Sequence, residues 1–280
     1  MKNNSLLIMA GGASSRMKKS LAESDLNDEV LEAAKNLHKS LIPLDHKGRP
    51  LLYFLLRNAQ EAGYQSVYLI TSKDNGAFIS FLQSFKKDFR ELEIRLAIQY
   101  LPSNHSKPLG TADAVQQCLD QYPELQKAYF TVCNGDNLYS TRVMGMLRQV
   151  REASHATIGY KGSSLGFDDE RLSKFAVMHI DAMGYLQQII EKPKTSEMDH
   201  YRDSQGDLSI SMNIFNFSGI QIYPFLEACP LHPVRKEKEL PEAVRAAIAE
   251  NPQCMACFSV NEELPDLTTA EDIKNMNSYL

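Results

Sequence analysis

Leu6-Leu7-Ile8-Met9-Ala10 reads as a buried strand, and it runs directly into Gly11-Gly12-Ala13-Ser14-Ser15-Arg16-Met17, a loop of small residues closed by a cation. A glycine-rich turn lets backbone N–H groups approach a phosphate, because no side chain stands between them. Arg16 sets a permanent positive charge beside that turn. An anion-binding backbone next to a fixed cation points to chemistry on a nucleotide. A turn that merely packs would share the same residues, so the charged blocks farther along the chain must decide.

Those blocks are spread widely. Gly110-Thr111 opens a helical stretch, where it can approach a ligand closely or simply cap the helix. Asn134-Gly135-Asp136 follows a buried strand, and open α/β sheets place ligand groups at such strand ends. An aspartate in Asn-Gly-Asp is also an ordinary turn residue. Glu191-Lys192-Pro193 closes another strand-like run, and Asp266 follows Phe258 to Val260 closely enough to project from a nearby loop. Cys254 and Cys257 have metal-ligand spacing but no second pair, and they read as core or edge cysteines. His38, His46, His155, His179, His200 and His232 are scattered among them, and no Ser-His-Asp or Cys-His arrangement emerges.

The elements that must position these residues alternate between strand and helix. Pro50 to Ala62 carries Leu51, Leu52, Leu55 and Leu56 on one helical face and starts with proline. Val67–Thr71, Ile94–Gln99 and Tyr129–Cys133 read as strands, and Phe78–Phe89 and Thr111–Leu119 as helices. In the second half, strand-like runs at Ala156–Lys161, Phe175–Ile180, Leu186–Ile190 and Ser209–Phe217 follow with less helix between them. That change suggests antiparallel strands added to a parallel core, with helices on both faces of the mixed, mostly parallel sheet. Pro241–Ala249 and the stretch from Thr268-Thr269-Ala270-Glu271-Asp272 read as further helices. Lys18 to His38 separates the first loop from the next apolar stretch, and Asn27–Leu37 within it is amphipathic, a lid or a surface decoration.

At 280 residues, with 43% hydrophobic and 23% charged residues, the chain can bury a large α/β core. No Pro- or Gly-rich linker divides it, so one domain spanning 1–280 is expected. A net charge of −5 disfavours nucleic-acid binding but suits a small anion held by local cations. No apolar run reaches the ~20 residues of a membrane helix, no signal-peptide core is seen, and five cysteines suggest no disulfide framework. A cytoplasmic protein without a membrane partner is expected.

The ordered series Gly11 to Arg16, Lys39-Ser-Leu-Ile-Pro43, Pro108-Leu-Gly110-Thr111-Ala112-Asp113-Ala114, Cys133-Asn-Gly135-Asp136, Glu191-Lys192-Pro193, Ser211-Met-Asn-Ile-Phe-Asn-Phe217 and Asp266 to Asp272 resembles the sugar-phosphate nucleotidyltransferases across nearly the whole chain. The Ser-Ser-Arg-Met variant is also similar to molybdopterin guanylyltransferases and isoprenoid cytidylyltransferases. The Gly-Thr-Ala and Glu-Lys-Pro blocks favour the sugar branch. The resemblance implies a Rossmann-like nucleotidyltransferase fold with an antiparallel sugar-binding addition. It implies an enzyme that joins a nucleoside triphosphate to a sugar 1-phosphate and releases pyrophosphate with Mg²⁺.

By that resemblance Arg16, Lys39 and Lys192 are catalytic cations, with Arg16 on the triphosphate and Lys39 near the α-phosphate. Ala10, Gly11, Gly12, Ser14, Gly110 and Thr111 bind the nucleotide. Gly135, Glu191, Lys192 and Ser211 face the sugar, and Asp136 and Asp266 hold Mg²⁺. Residues 1–140 then serve mainly the nucleotide, 141–280 the sugar phosphate, and 18–38 is an insertion. The sugar phosphate is itself an ionised nucleophile, so positioning and charge stabilisation suffice. A non-catalytic nucleotide-sugar sensor or regulatory subunit, or transfer to a non-sugar phosphate, are the alternatives. A homo-oligomer is compatible with the resemblance.

Three positions depart from the pattern. Lys39 lies far from Arg16, with His38 where proline is usual, so the insertion must loop out unless Lys18 or Lys19 replaces Lys39. A base-reading Gln or Glu shortly before Gly110 has no clean match, and His105 or Asn104 falls there, which leaves uracil, thymine, guanine and cytosine open. Asn213 stands where glycine is usual.

Overall fold

The computed structural model describes residues 3–12, 14–24, 26, 28–103, 105, 107–276 and 279–280, with Glu23 and Glu29 described by backbone alone. Ala13 of the first loop and Asn104 therefore lie outside the described residues.

Leu6, Leu7 and Ile8 are all fully buried, which demands cover on both faces of the strand they form, β1 (Ser5–Met9). Parallel to it run β2 (Ser66–Thr71) on one side, with β3 (Glu93–Ile98) beyond, and β4 (Tyr129–Asn134) on the other. β5 (His155–Lys161), β6 (Ala176–Ile180), β7 (Leu186–Glu191), β8 (Ser209–Ser218) and β9 (Met255–Val260) complete a sheet of nine strands among the described residues. Its order is β3-β2-β1-β4-β8-β5-β9, and on that path β8 alone runs against the others. β6 leaves the path by pairing with β8, and β7 pairs with β6.

β8 joins the two styles of pairing. Phe215–Ser218 ladder onto β4, whereas Ile210 and Ser211 reach both β5 and β6. Between these parts Asn213 has φ 55° and the register with β5 shifts. Glycine and asparagine enter this left-handed region most readily, which accounts for an asparagine where glycine is usual.

Helices cover both faces. On one side α3 (Leu51–Glu61), α4 (Gly76–Ser84) and α6 (Thr141–Leu147) set Leu52, Leu55, Phe78 and Val143 over Leu6, Ile8, Val67 and Leu69. On the other, α5 (Thr111–Gln121), α8 (Gly219–Glu227) and α9 (Leu240–Glu250) bury Val115, Ile222 and Val244 with Leu7, Ile70 and Phe217. A fully buried side chain of this size contributes ~1.5–3 kcal/mol.

The stretch after the first loop folds as α1 (Ser15–Ser20) and α2 (Asp28–Asn36), close to the expected amphipathic segment. Met17, Leu21 and Ala34 join a third apolar cluster with Leu267 and with Ala270, Ile273 and Met276 of the C-terminal α10 (Ala270–Met276). A short α7 (Asp169–Leu172) completes the helices. The expected helix over Phe78–Phe89 ends earlier, at Ser84, and continues as turns. Among the described residues no helix is long and apolar enough to cross a membrane.

Candidate active site

The carboxyl ends of β1 and β4 lie side by side, because their registers pair Met9 with Asn134. Both therefore release their loops at one rim of the sheet. Ala10 is buried there, Gly11 is partly covered and Gly12 is open. Gly135 donates its N–H to the Met9 carbonyl at 2.9 Å. A Cβ on Gly135 would meet that same oxygen at 3.0 Å, so the close approach of the two loops favours glycine. Ser14 has φ 54°, the left-handed turn that starts α1 and brings Arg16 round to the rim.

These loops open onto a cavity of about 510 Å³. Gly11, Gly12, Ser14, Arg16, Lys39, Gly110, Thr111 and Asp136 all line it. Lys39 returns across the insertion because its backbone N–H donates to Ser14 Oγ at 3.2 Å. Its ammonium then pairs with the Asp136 carboxylate. Lys18 and Lys19 sit exposed on α1, so it is Lys39 that reaches Asp136. His38 beside it is mostly buried, and its Nδ1 accepts from the Ser40 N–H at 3.2 Å. Burial lowers its pKa to about 4, so the ring is neutral at pH 7.

Asp266 stands beside this group rather than in the lining. The Leu267 N–H donates to the Asp136 carbonyl at 2.8 Å, and Asn137 bridges to Asp266. Asn137 Nδ2 donates to Asp266 Oδ1 at 3.0 Å and Thr268 Oγ1 to Oδ2 at 2.6 Å, which fixes the carboxyl's orientation. Burial first, then the neighbouring Asp136 charge, pushes the Asp266 pKa up. The two neighbouring carboxyls are oxygen donors, which suit a hard divalent cation.

Gly110 has φ 107°, and a Cβ on it would meet the Lys238 carbonyl at 2.5 Å. Glycine is required there on both counts. The Thr111 hydroxyl accepts from the Leu240 N–H at 2.8 Å, so it holds the start of α9 against the start of α5.

The sequence reading missed Gln99. It is buried at the end of β3, lines the cavity, and donates Nε2 to the Gly110 carbonyl (3.0 Å) and to Asp113 (2.7 Å). It is a glutamine before Gly110, but a long intervening loop removes it from the usual spacing. His105, one of the two residues at that spacing, is exposed. The position of Gln99 at a parallel strand's carboxyl end was the available signal. Lys107 and Glu237 also line the cavity and pair at 2.7 Å.

The remaining residues lie apart. Glu191 ends β7 in a second cavity of about 600 Å³ with Arg235, Glu239 and Arg245. Burial, and next the Glu239 charge, raises its pKa. Lys192 is exposed with φ 48°. Ser211 is 2% exposed between β5 and β6, its hydroxyl accepting the Asn213 N–H at 3.4 Å. Cys254 and Cys257 are buried and free.

A family model described as "Nucleotidyl transferase" matches residues 30–271. The glucose-1-phosphate adenylyltransferase of Bradyrhizobium diazoefficiens is 28% identical over 192 residues, 66% of this chain and 41% of that protein. That of Cereibacter sphaeroides is 29% identical over 216 residues, 75% of this chain and 46% of the relative. The chain thus spans less than half the length of these curated relatives. A UDP-glucose pyrophosphorylase solved with UDP-glucose superposes with a TM-score of 0.73 at 14% identity, covering 99% of this chain and 98% of that one. That last likeness concerns the fold, which matches the mixed sheet expected from the sequence.

Proposed function

This chain belongs to the nucleotidyl transferase family, and we propose that it joins a nucleoside triphosphate to a sugar 1-phosphate, releasing pyrophosphate, with Mg²⁺. The observation that carries this reading is the convergence of Arg16, Lys39 and Asp136 on one cavity at the sheet rim, with Asp266 on the adjoining segment. They come from positions as far apart as 16 and 266. That concentration of fixed charge suits a polyphosphate and a divalent ion.

In this reading the backbone of Gly11, Gly12 and Ser14, with Arg16, binds the triphosphate, and Lys39 neutralises the α-phosphate side. Gly110 and Gln99 border the base, with Gln99 in the part sought near residues 104 and 105. Asp136 and Asp266 would hold Mg²⁺, which when bound supplies charge neutralisation on the phosphates. Glu191 and Lys192 serve the sugar phosphate, with Ser211 covered in the sheet beside them, and residues 141–280 carry most of that half. The acceptor's phosphate oxygen attacks the α-phosphorus, the bond to pyrophosphate breaks, and no protein nucleophile is required. The catalytic task is then alignment and charge stabilisation.

The test is pyrophosphate release with a panel of nucleoside triphosphates and sugar 1-phosphates in Mg²⁺. The relatives' names add adenine to the open bases, so ATP and UTP with glucose 1-phosphate head the panel. Turnover with at least one pair is expected. A folded protein that binds nucleotide sugars but turns over no pair would instead be the sensor.

A further inference from the structure

The residues between the first loop and Lys39 hold both halves of the proposed site. At the cation side, the Ser14 hydroxyl receives the Lys39 N–H, which registers the far end of the insertion on its beginning. At the acid side, α1 presents Ser20 to α10. Ser20 Oγ accepts the N–H of Ala270 at 2.9 Å and donates to the Met17 carbonyl at 2.8 Å. The first N–H groups of a helix need partners from outside the helix ladder. Just before α10, Asp272 takes the N–H groups of Thr268 and Thr269, at 3.0 and 2.6 Å. Ser20 takes the next one from a separate element, 250 residues away in sequence.

The same contact is backed by apolar packing. Met17, Leu21 and Ala34 share a buried cluster with Leu267, Ala270, Ile273 and Met276. Asp266 stands immediately before that segment, and its carboxyl is held by the Thr268 hydroxyl. The insertion therefore braces the Asp266 segment from behind. This placement matches neither a lid nor a detached surface decoration.

We propose that Ser20 is a positioning residue for the Asp266 carboxylate, and that α1 and α2 fix the separation between the phosphate-side cations and the acids opposite. The inference rests on the reading that Asp136 and Asp266 hold a divalent cation.

The experiment titrates Mn²⁺ into the nucleotide-free protein by electron paramagnetic resonance, for wild type, Ser20→Ala and Ser20→Thr, alongside steady-state kinetics. Ser20→Ala is expected to weaken Mn²⁺ about fivefold, short of the loss typical when a ligand's direct partner is removed. The metal concentration for half-maximal turnover should rise by the same factor. The KM for nucleotide at saturating metal should stay within about twofold, and Ser20→Thr should restore binding, because the cap needs only a hydroxyl.

Ala270→Pro removes the other partner of the bond at a helix start, where proline is accepted. It should reproduce the loss, and Ser20→Ala with Ala270→Pro should lose no more than either alone. This variant also serves if Ser20→Ala does not fold. Unchanged Mn²⁺ affinity in a folded Ser20→Ala, failure of threonine to rescue, or additive losses would overturn the inference while leaving the proposed reaction standing. Wild type that turned over substrate yet bound no Mn²⁺ would overturn the metal reading, and this inference with it.

Discussion

The side proposed for the nucleotide and the side proposed for the sugar are assembled differently. On the nucleotide side, residues from β1, the insertion, β4 and the start of α5 already face one cavity, tied by the Ser14–Lys39 and Lys39–Asp136 contacts. On the sugar side Glu191 lines a separate cavity, Lys192 is exposed and Ser211 is buried in the sheet. Parallel strands explain the contrast. They discharge their loops at one edge, whereas β6, β7 and the start of β8 are joined by antiparallel pairing, which sets Glu191 and Ser211 opposite Ala176. The first side is thus preformed, and the second is completed by the acceptor.

If so, substitutions on the two sides should differ in size and in kind. The largest effect belongs to Asp136→Ala. Removing the carboxylate that pairs with Lys39 should lower kcat by about 10³-fold, ~4 kcal/mol of transition-state stabilisation. Circular dichroism should show an unchanged fold, since the residue lies on a loop. Near-normal turnover would erase the distinction between the sides.

Next is acid stability, which asks whether the two sides unfold as one unit. His155 on β5 is mostly buried, and burial, then the nearby Arg151 charge, lowers its pKa to about 4. The unfolded chain takes up a proton below the ordinary value of 6.5, which the folded state refuses. Stability is therefore full above pH 6.5 and falls as pH drops towards 4, by about 3 kcal/mol. Urea titrations from pH 7 to 4.5 should show this slope with coincident transitions for both halves of the sheet. His155→Asn should remove this share of the slope and leave that of His38, which burial lowers likewise.

Gly110→Ala should cost about 2 kcal/mol, from the left-handed backbone and the encounter with the Lys238 carbonyl. Calorimetry should find Tm lowered by about 5 °C, and the KM for nucleotide should rise. An unchanged Tm would mean that the contact between the α5 start and residue 238 relaxes easily.

The smallest effect is Lys192→Ala. An exposed cation completed by its ligand should raise the KM for sugar phosphate about tenfold, ~1.4 kcal/mol, with kcat retained within a fewfold. A loss in kcat as large as that of Asp136→Ala would place Lys192 among the preformed groups.

Much of the scaffold was legible because burial writes simple periods into the chain. Leu6 to Ile8 needed two covered faces, and Leu51, Leu52, Leu55 and Leu56 needed a helix. α8 went unread because Pro224 lies inside it, and proline normally signals a helix end. α6 contains Gly145, which weakens the helical pattern, although Ser140 caps it by accepting from the Val143 N–H at 3.1 Å.

The site divided along similar lines. Arg16, Asp136 and Gly110 were visible from their neighbours in sequence. Gln99 was hidden by loop length, because local spacing carries no information once the connection between strand and helix grows. The return of Lys39 to Ser14 and the brace from Ser20 to Ala270 join segments 25 and 250 residues apart, which no local pattern reports.

The central claim is best tested by a crystal structure with a nucleotide sugar that the turnover panel selects, bound in the presence of Mg²⁺. The phosphates should lie between the Gly11–Gly12 turn with Arg16 and Asp136, one metal ion should touch both Asp136 and Asp266, and the sugar should be directed towards Glu191 and Lys192. Phosphates bound elsewhere, or a metal ion that leaves either aspartate untouched, would contradict it.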